Sequence, residues 1–228
     1  MAYRNQQEAA RPGAAEKIGA LLAADGAKNH PYITSQIFAR GREAARDLAD
    51  AVHLISSLHG SAPGIIDQTR ARHAPDPVRT WLDAAAEGFA AERAYLMRTV
   101  VAAGPVPSTP GHAECTAAVT GQRHALDMLA RSDRAGCALG AAMALVLDWR
   151  AIRPVIDAAA QRFSLPLTPP ALPSARQTMA AIEAATEAAA ESAMDRAMTF
   201  GAQQLLVQHR GLWSLLEARS EARMDAFV

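Results

Sequence analysis

The sequence predicts an all-α protein, a bundle of five or six long antiparallel helices, and three observations lead to this fold class. Alanine, which favours helices and fits strands poorly, accounts for 54 of the 228 residues. Apolar residues recur at helical spacing, as in the stripe of Ala44, Leu48, Val52 and Ile55. Segments rich in proline and glycine separate the helical stretches, and none of these stretches shows the pattern of a strand.

Residues 1–30 are predicted to form a polar lead-in that contains one short helix near 14–24. Asp25 and Gly26 end this helix, because both residue types favour turns. The remaining residues, 31–228, are predicted to form a single helical-bundle domain, which is an ordinary size for one core.

The bundle domain begins with two long helices joined by a loop. Pro31 starts the first helix, and Gly60 ends it as its C-cap. The following loop is interrupted by proline and glycine and has room for one turn at 65–70. Asp76, a cap followed by a first-turn proline, begins the second helix, which continues to Ala103.

Three further helical stretches follow the proline-rich linker. The third long helix spans about 112–131, and the fourth spans 134–163 and is apolar on all sides at its start, as a central helix is. Residues 174–227 are helical almost without interruption. One helix of that length would measure about 80 Å, so we expect a break near Phe200 and Gly201.

Small residues and a proline mark the packing of the third and fourth helices. Gly136, Gly140 and Ala144 recur every four residues, which lets another helix axis approach closely, and Gly121 offers the same on the third helix. Pro154 is expected to kink or divide the fourth helix, because it lacks the N–H that the helix needs.

Composition excludes several function classes. Lys plus Arg and Asp plus Glu both total 23, so no general basic field attracts nucleic acid. The N-terminus has no signal-peptide pattern and the longest apolar run is too short for a bilayer, so we expect a cytoplasmic protein without membrane contact. Two cysteines are too few for a zinc cage. The abundance of alanine and arginine, with only two lysines, is typical of a GC-rich bacterial genome.

The candidate functional residues are titratable groups placed at helical spacing where core residues belong. The stronger positions are Glu92, Asp148 and His209; Glu114 and His124 fall to the side of their helix's apolar face. His59 also ends an apolar stripe, and its spacing from His53 puts the two histidines on different faces.

Two interpretations of these buried groups remain open. They converge on a metal, an organic ligand or an acid–base pair, or each is satisfied locally. In the local interpretation an arginine (Arg93, Arg150 or Arg153) pairs with Glu92 or Asp148. His209 then bonds a carbonyl of a neighbouring helix.

Long alanine-rich helices with inward carboxylates and histidines resemble the ferritin-like superfamily, over about residues 33–220. Di-iron members of that superfamily use lone glutamates and two Glu-x-x-His motifs. Glu92 matches a lone helix glutamate, but the sequence contains no Glu-x-x-His. The resemblance therefore implies the bundle architecture and leaves the di-iron chemistry without its motif.

These observations lead to one main hypothesis and one alternative. The main hypothesis is a module without a standard catalytic centre that binds a small apolar ligand or a protein partner and self-associates as a homodimer. The alternative is a ferritin-like, metal-dependent oxidoreductase, in which Glu92, Glu114, His124, Asp148 and His209 hold iron or another divalent metal.

Overall fold

The computed structural model describes residues 12–40, 43–72, 74, 76–189 and 192–225. Within these residues the chain forms nine α-helices and two short 3-10 turns, and no strand. The predicted all-α class is therefore confirmed. The α-helices are α1 (Ala14–Asp25), α2 (Pro31–Thr34), α3 (Ala44–His59), α4 (Ile65–Arg70), α5 (Asp76–Ala103), α6 (His112–Ala130), α7 (Cys137–Arg162), α8 (Ala175–Ala189) and α9 (Ser192–Asp225).

Most predicted helix ends lie within a few residues of the observed ones, and one helix differs. The long helix expected from Pro31 begins instead as the single turn α2, which ends where Ser35 adopts an extended conformation. A 3-10 turn follows, and α3 begins only at Ala44. The predicted turn at 65–70 is present as α4.

The central contact of the bundle is the crossing of α7 and α9, which depends on two glycines. A Cβ on Gly140 would lie 2.0 Å from the carbonyl oxygen of Met198, and one on Gly201 would lie 1.9 Å from that of Cys137. The close approach predicted for Gly140 is confirmed. It does not occur at Gly121, where a Cβ would meet nothing within 4 Å.

The break expected near Phe200 and Gly201 is wrong, because α9 runs through both residues without interruption. The C-terminal stretch divides earlier, since α8 ends at Ala189 and α9 begins at Ser192. Pro154 does not divide α7. It lies on the exposed side of the helix, where water can satisfy the carbonyl that its ring leaves without a donor.

Part of the predicted N-terminal lead-in belongs to the core. Ala14 and Ile18 of α1 are buried, as is Ala27 in the 3-10 turn that follows, and α1 packs along α9. Residues 1–11 lie outside the described part of the chain. The described N-terminal segment therefore reaches the interior of the bundle.

None of the helices in the described ranges is long and apolar enough to cross a membrane.

Candidate functional site

Two histidines meet in the centre of the bundle. His59 is the last residue of α3, and His209 lies in the middle of α9. Their Nε2 atoms are 2.9 Å apart, and the two rings are perpendicular with centroids 5.0 Å apart. His209 is fully buried and His59 is 7% exposed. One of the two Nε2 atoms must therefore donate its hydrogen to the other.

Asp148 of α7 extends this pair into a row of three side chains, which we call the Asp–His–His array. Its Oδ2 lies 2.6 Å from His209 Nδ1, and its Oδ1 accepts a hydrogen bond of 2.8 Å from the backbone N–H of Ala27. Both carboxylate oxygens thus face N–H groups, the arrangement that a buried carboxylate needs.

The direction of the hydrogen bonds follows from the carboxylate at the inner end. Because Asp148 accepts, His209 Nδ1 carries a hydrogen, and the Nε2 of a neutral His209 then accepts from His59 Nε2. A neutral His59 is left with a lone pair on Nδ1. That nitrogen makes no hydrogen bond within the described residues.

Burial is the largest cause that holds the pKa of His59 well below its usual value of 6.5, and His209 and Arg93 add to the effect. His59 is therefore neutral at physiological pH. Two aromatic rings complete its surroundings, with centroids 6.3 Å away for Phe89 and 5.8 Å away for Trp149. The array is thus held in an apolar environment that favours the neutral imidazole.

His59 lines a cavity of about 200 Å³, the small cavity. Its inner wall is apolar and includes Leu58, Phe89, Leu126 and Leu145. Besides His59, the polar residues of its wall are Ser61, Gln68, Arg123, Asp127 and Arg131. The Asp–His–His array therefore ends at the wall of a cavity that is apolar inside and charged at its rim.

A second cavity of about 550 Å³, the large cavity, adjoins the first. Arg123 and Asp127 of α6 line both cavities. Most residues that line the large cavity are polar, and His53, His112 and His124 are among them. Its volume is within the range of ordinary small-molecule sites.

Glu92 is satisfied away from the array by a buried ion pair. Its oxygens accept two hydrogen bonds from Arg153 Nη1, at 2.6 and 2.8 Å. They also accept bonds from Trp149 Nε1 at 3.0 Å and from the backbone N–H of Ala171 at 3.1 Å. The pairing with an arginine considered for Glu92 is confirmed, and the pair fastens the segment after α7 to the bundle.

The five candidate residues thus lie in separate places. Asp148 and His209 are in direct contact, whereas Glu92 belongs to the ion pair with Arg153. Glu114 is exposed in the first turn of α6, and His124 is exposed on the same helix and lines the large cavity. No group of three or more His, Cys, Asp or Glu side chains in the described ranges is placed to hold a metal ion.

Sequence reasoning missed the partners of His209, for which the local interpretation offered only a carbonyl of a neighbouring helix. The actual partners are Asp148 and His59, and the sequence predicts each of them as a polar residue on an apolar helix face. The sequence contained a signal for this contact, because three polar residues on three apolar helix faces can all be buried if they form hydrogen bonds with one another. Helical phase does not say which helices are neighbours.

Sequence reasoning also missed a second buried cluster between α3 and α9. Arg219 donates two hydrogen bonds to Asp50, of 2.8 and 3.1 Å, and Arg223 bonds both Asp47 and Asp50. The signal was the spacing of Arg219 and Arg223, four residues apart on one helix face. The two aspartates of α3 balance the charges of the two arginines of α9. The ion pairs of this cluster therefore hold α3 against α9.

Residues 22–224 match the model of a family described as a family of unknown function, DUF6975. No curated protein and no solved structure matches the chain significantly. The matched range includes the Asp–His–His array and all residues of both cavities.

Proposed function

We propose that this chain, which belongs to the family of unknown function DUF6975, binds a small organic molecule in the small cavity and accepts a hydrogen bond or a proton from it at His59. The single observation that supports this proposal is the end of the Asp–His–His array. It leaves one ring nitrogen, His59 Nδ1, without a partner in the described structure, on a residue that lines a cavity.

The array is an unusual way to satisfy a core histidine. A buried imidazole whose only role is packing needs one donor and one acceptor, and backbone carbonyls supply the acceptor at little cost. Here a buried carboxylate and two perpendicular imidazoles are used instead, although burying a carboxylate is costly. The arrangement favours a functional interpretation, in which Asp148 and His209 keep the hydrogen of His59 on Nε2 and so leave its Nδ1 as a hydrogen-bond acceptor.

The chemistry that the array allows is proton acceptance. Because its pKa is lowered, the imidazole of His59 is in its neutral form at physiological pH, and its free lone pair is on Nδ1. When Nδ1 takes up a proton, His59 can pass its Nε2 hydrogen to His209. That transfer would leave the added charge on His209, whose Nδ1 lies 2.6 Å from Asp148 Oδ2.

The metal-dependent alternative has no comparable support in the described geometry. Its five proposed ligands are spread over an ion pair, an exposed helix turn, a cavity wall and the array. Binding of a small organic molecule needs only the array and the cavity that it adjoins.

Saturation-transfer NMR with a library of small fragments tests the proposal. We expect some fragments to bind the native protein, and binding should perturb the imidazole ¹⁵N resonances of His59. His59→Gln should abolish binding of those fragments. The matched control is His53→Gln, because His53 lies outside the small cavity and its bond of 2.8 Å to the Gly104 carbonyl can be replaced by the glutamine amide.

Fragments that bind equally well to the native protein and to His59→Gln would contradict the proposal. If His59→Gln does not fold, the ¹⁵N shifts of His59 in the native protein decide alone. Binding without any change at that ring would then refute the role of His59.

A further inference from the structure

We infer that the ligand of the small cavity is a small organic acid, whose carboxylate is held by Arg123 while its body lies against the apolar wall beside His59. This inference rests on the proposed binding site and names the class of molecule that it takes.

The charges at the rim of the small cavity are not balanced. Two arginines, Arg123 and Arg131, and one acid, Asp127, belong to its described wall, which gives a net charge of +1 with His59 neutral. Neither arginine forms an ion pair or a side-chain hydrogen bond within the described residues. Both are exposed and are thus available to a ligand.

Three other arginines of the bundle differ from these two. Arg93, Arg153 and Arg219 each form an ion pair with a carboxylate, at distances between 2.6 and 2.9 Å. Their charges are already compensated. Arg123 stands at the junction of the small and large cavities, so its guanidinium can reach an acid group at the entrance of the small one.

The net charge indicates which kind of acid fits. One uncompensated positive charge matches a carboxylate, which carries one negative charge and accepts two parallel hydrogen bonds from a guanidinium. A phosphate monoester carries about −1.5 to −2 charges at neutral pH, and this rim would leave part of that charge without a partner.

The volume and the wall indicate the rest of the molecule. About 200 Å³ is the space of roughly seven water molecules, which limits the ligand to a small body. Phe89, Leu126 and Leu145 favour an apolar body, since they offer it no hydrogen bond. A hydroxyl at the inner end would donate to His59 Nδ1.

Titration of the native protein with three acids and their primary amides tests the inference. The acids are benzoate, 4-hydroxybenzoate and hexanoate, and the readouts are calorimetry and the ¹⁵N shifts of His59. We expect at least one acid to bind ten-fold or more tightly than its amide, and the preference to weaken with added salt. Arg123→Gln should remove the preference, and Arg123→Lys should keep part of it.

Arg150→Gln is the matched control, because Arg150 is an exposed arginine on α7 that lines neither cavity. It should leave the preference unchanged. Equal affinity for acids and amides, or a preference that survives in Arg123→Gln, would refute the inference while the binding site itself stands. If none of the six compounds binds while fragments still perturb the ¹⁵N shifts of His59, the inference is refuted and the binding site stands; if no fragment binds either, both are refuted.

Discussion

His209 has a partner for each of its ring nitrogens, and His59 has a partner for only one. The difference arises because His209 lies between Asp148 and His59, whereas His59 ends the row at a cavity. The protonation of three side chains is therefore linked. A change at Asp148 is transmitted through His209 to the nitrogen that a ligand would meet.

Asp148→Asn should reverse this row of hydrogen bonds. The amide oxygen is expected to keep the bond from Ala27 N–H, so the amide nitrogen donates to His209 Nδ1. His209 then carries its hydrogen on Nε2 and donates to His59. In ¹⁵N-resolved imidazole spectra, His59 should change from the Nε2–H to the Nδ1–H tautomer.

Asp83→Asn is the control for the tautomer change, because Asp83 forms an exposed pair with Arg70 and has no bond to the array. It should leave the His59 spectrum as it is. An unchanged His59 tautomer in Asp148→Asn would contradict the hydrogen-bond directions assigned to the array.

The lowered pKa of His59 makes stability depend on pH. The unfolded chain takes up a proton at this histidine below about pH 6.5, whereas the native protein does not until its own lower pKa is reached. The free energy of unfolding should therefore decrease as the pH is lowered below about 6.5, by at most about 1.4 kcal/mol per pH unit for one proton.

Urea unfolding of the native protein and of His59→Gln, between about pH 7.5 and 5.5, checks this pH dependence. Because the variant lacks the titrating group, the stability difference between the two proteins should narrow as the pH falls. A difference that stays constant would show that the native histidine takes up a proton as readily as the unfolded one.

Glu92→Gln should lower the free energy of unfolding by up to about 3–5 kcal/mol, because it removes the buried carboxylate that pairs with Arg153 and leaves only the partly exposed Asp157 opposite that charge. Asp83→Asn is again the control and should cost no more than about 1 kcal/mol, since that pair is about half exposed. Thermal and urea unfolding measure both. Equal costs for the two variants would refute a structural role for the buried pair.

At the scale of elements, one glycine expected to interrupt a helix instead allows two helices to touch. Gly201 lies inside α9, against the carbonyl oxygen of Cys137 on α7. The cost of a glycine inside a helix, up to about 1 kcal/mol, is small beside the packing of a close crossing. Local propensity therefore predicts a break that tertiary contact overrides.

Gly140→Ala should destabilise the protein by about 1–3 kcal/mol or more, because its methyl group would overlap the backbone of Met198. Gly121→Ala has the opposite expectation. That position is helical and exposed with open space around it, so alanine should raise the stability by up to about 1 kcal/mol. Urea unfolding measures the free energy of unfolding of both variants. An equal change in the two would contradict the close crossing of α7 and α9.

At the scale of the whole molecule, distant parts of the sequence meet at the array. One continuous row of hydrogen bonds joins four residues: Ala27 near the N-terminus, Asp148 on α7, His209 on α9 and His59 at the end of α3. The N-terminal segment therefore contributes to the stability of the bundle as well as to the position of Asp148.

Ile18→Asp should lower the melting temperature strongly, because it places a charge in the interface of α1 with α9. Ala20→Asp, on the exposed side of the same helix, should leave the melting temperature nearly unchanged. Calorimetry that finds no effect of Ile18→Asp would show that the N-terminal segment folds apart from the bundle.

Much of the fold could be predicted because helix formation depends on local sequence. Caps, breakers and apolar periodicity placed α4, α5 and α6 within a residue of their observed ends. The same periodicity identified Glu92, Asp148, His59 and His209 as polar groups on buried faces. Burial is a property of one helix face, and that information is contained in each stretch of sequence.

What the tertiary structure decided is which buried faces meet. Nothing in the helical phase of α3, α7 and α9 says that His59, Asp148 and His209 share one point, or that Glu92 faces Arg153 instead. Neighbouring helices are chosen by the packing of whole surfaces, to which residues far apart in sequence contribute together. The sequence alone therefore determined the helices and their buried polar residues, and only their packing joined three of those residues beside a cavity.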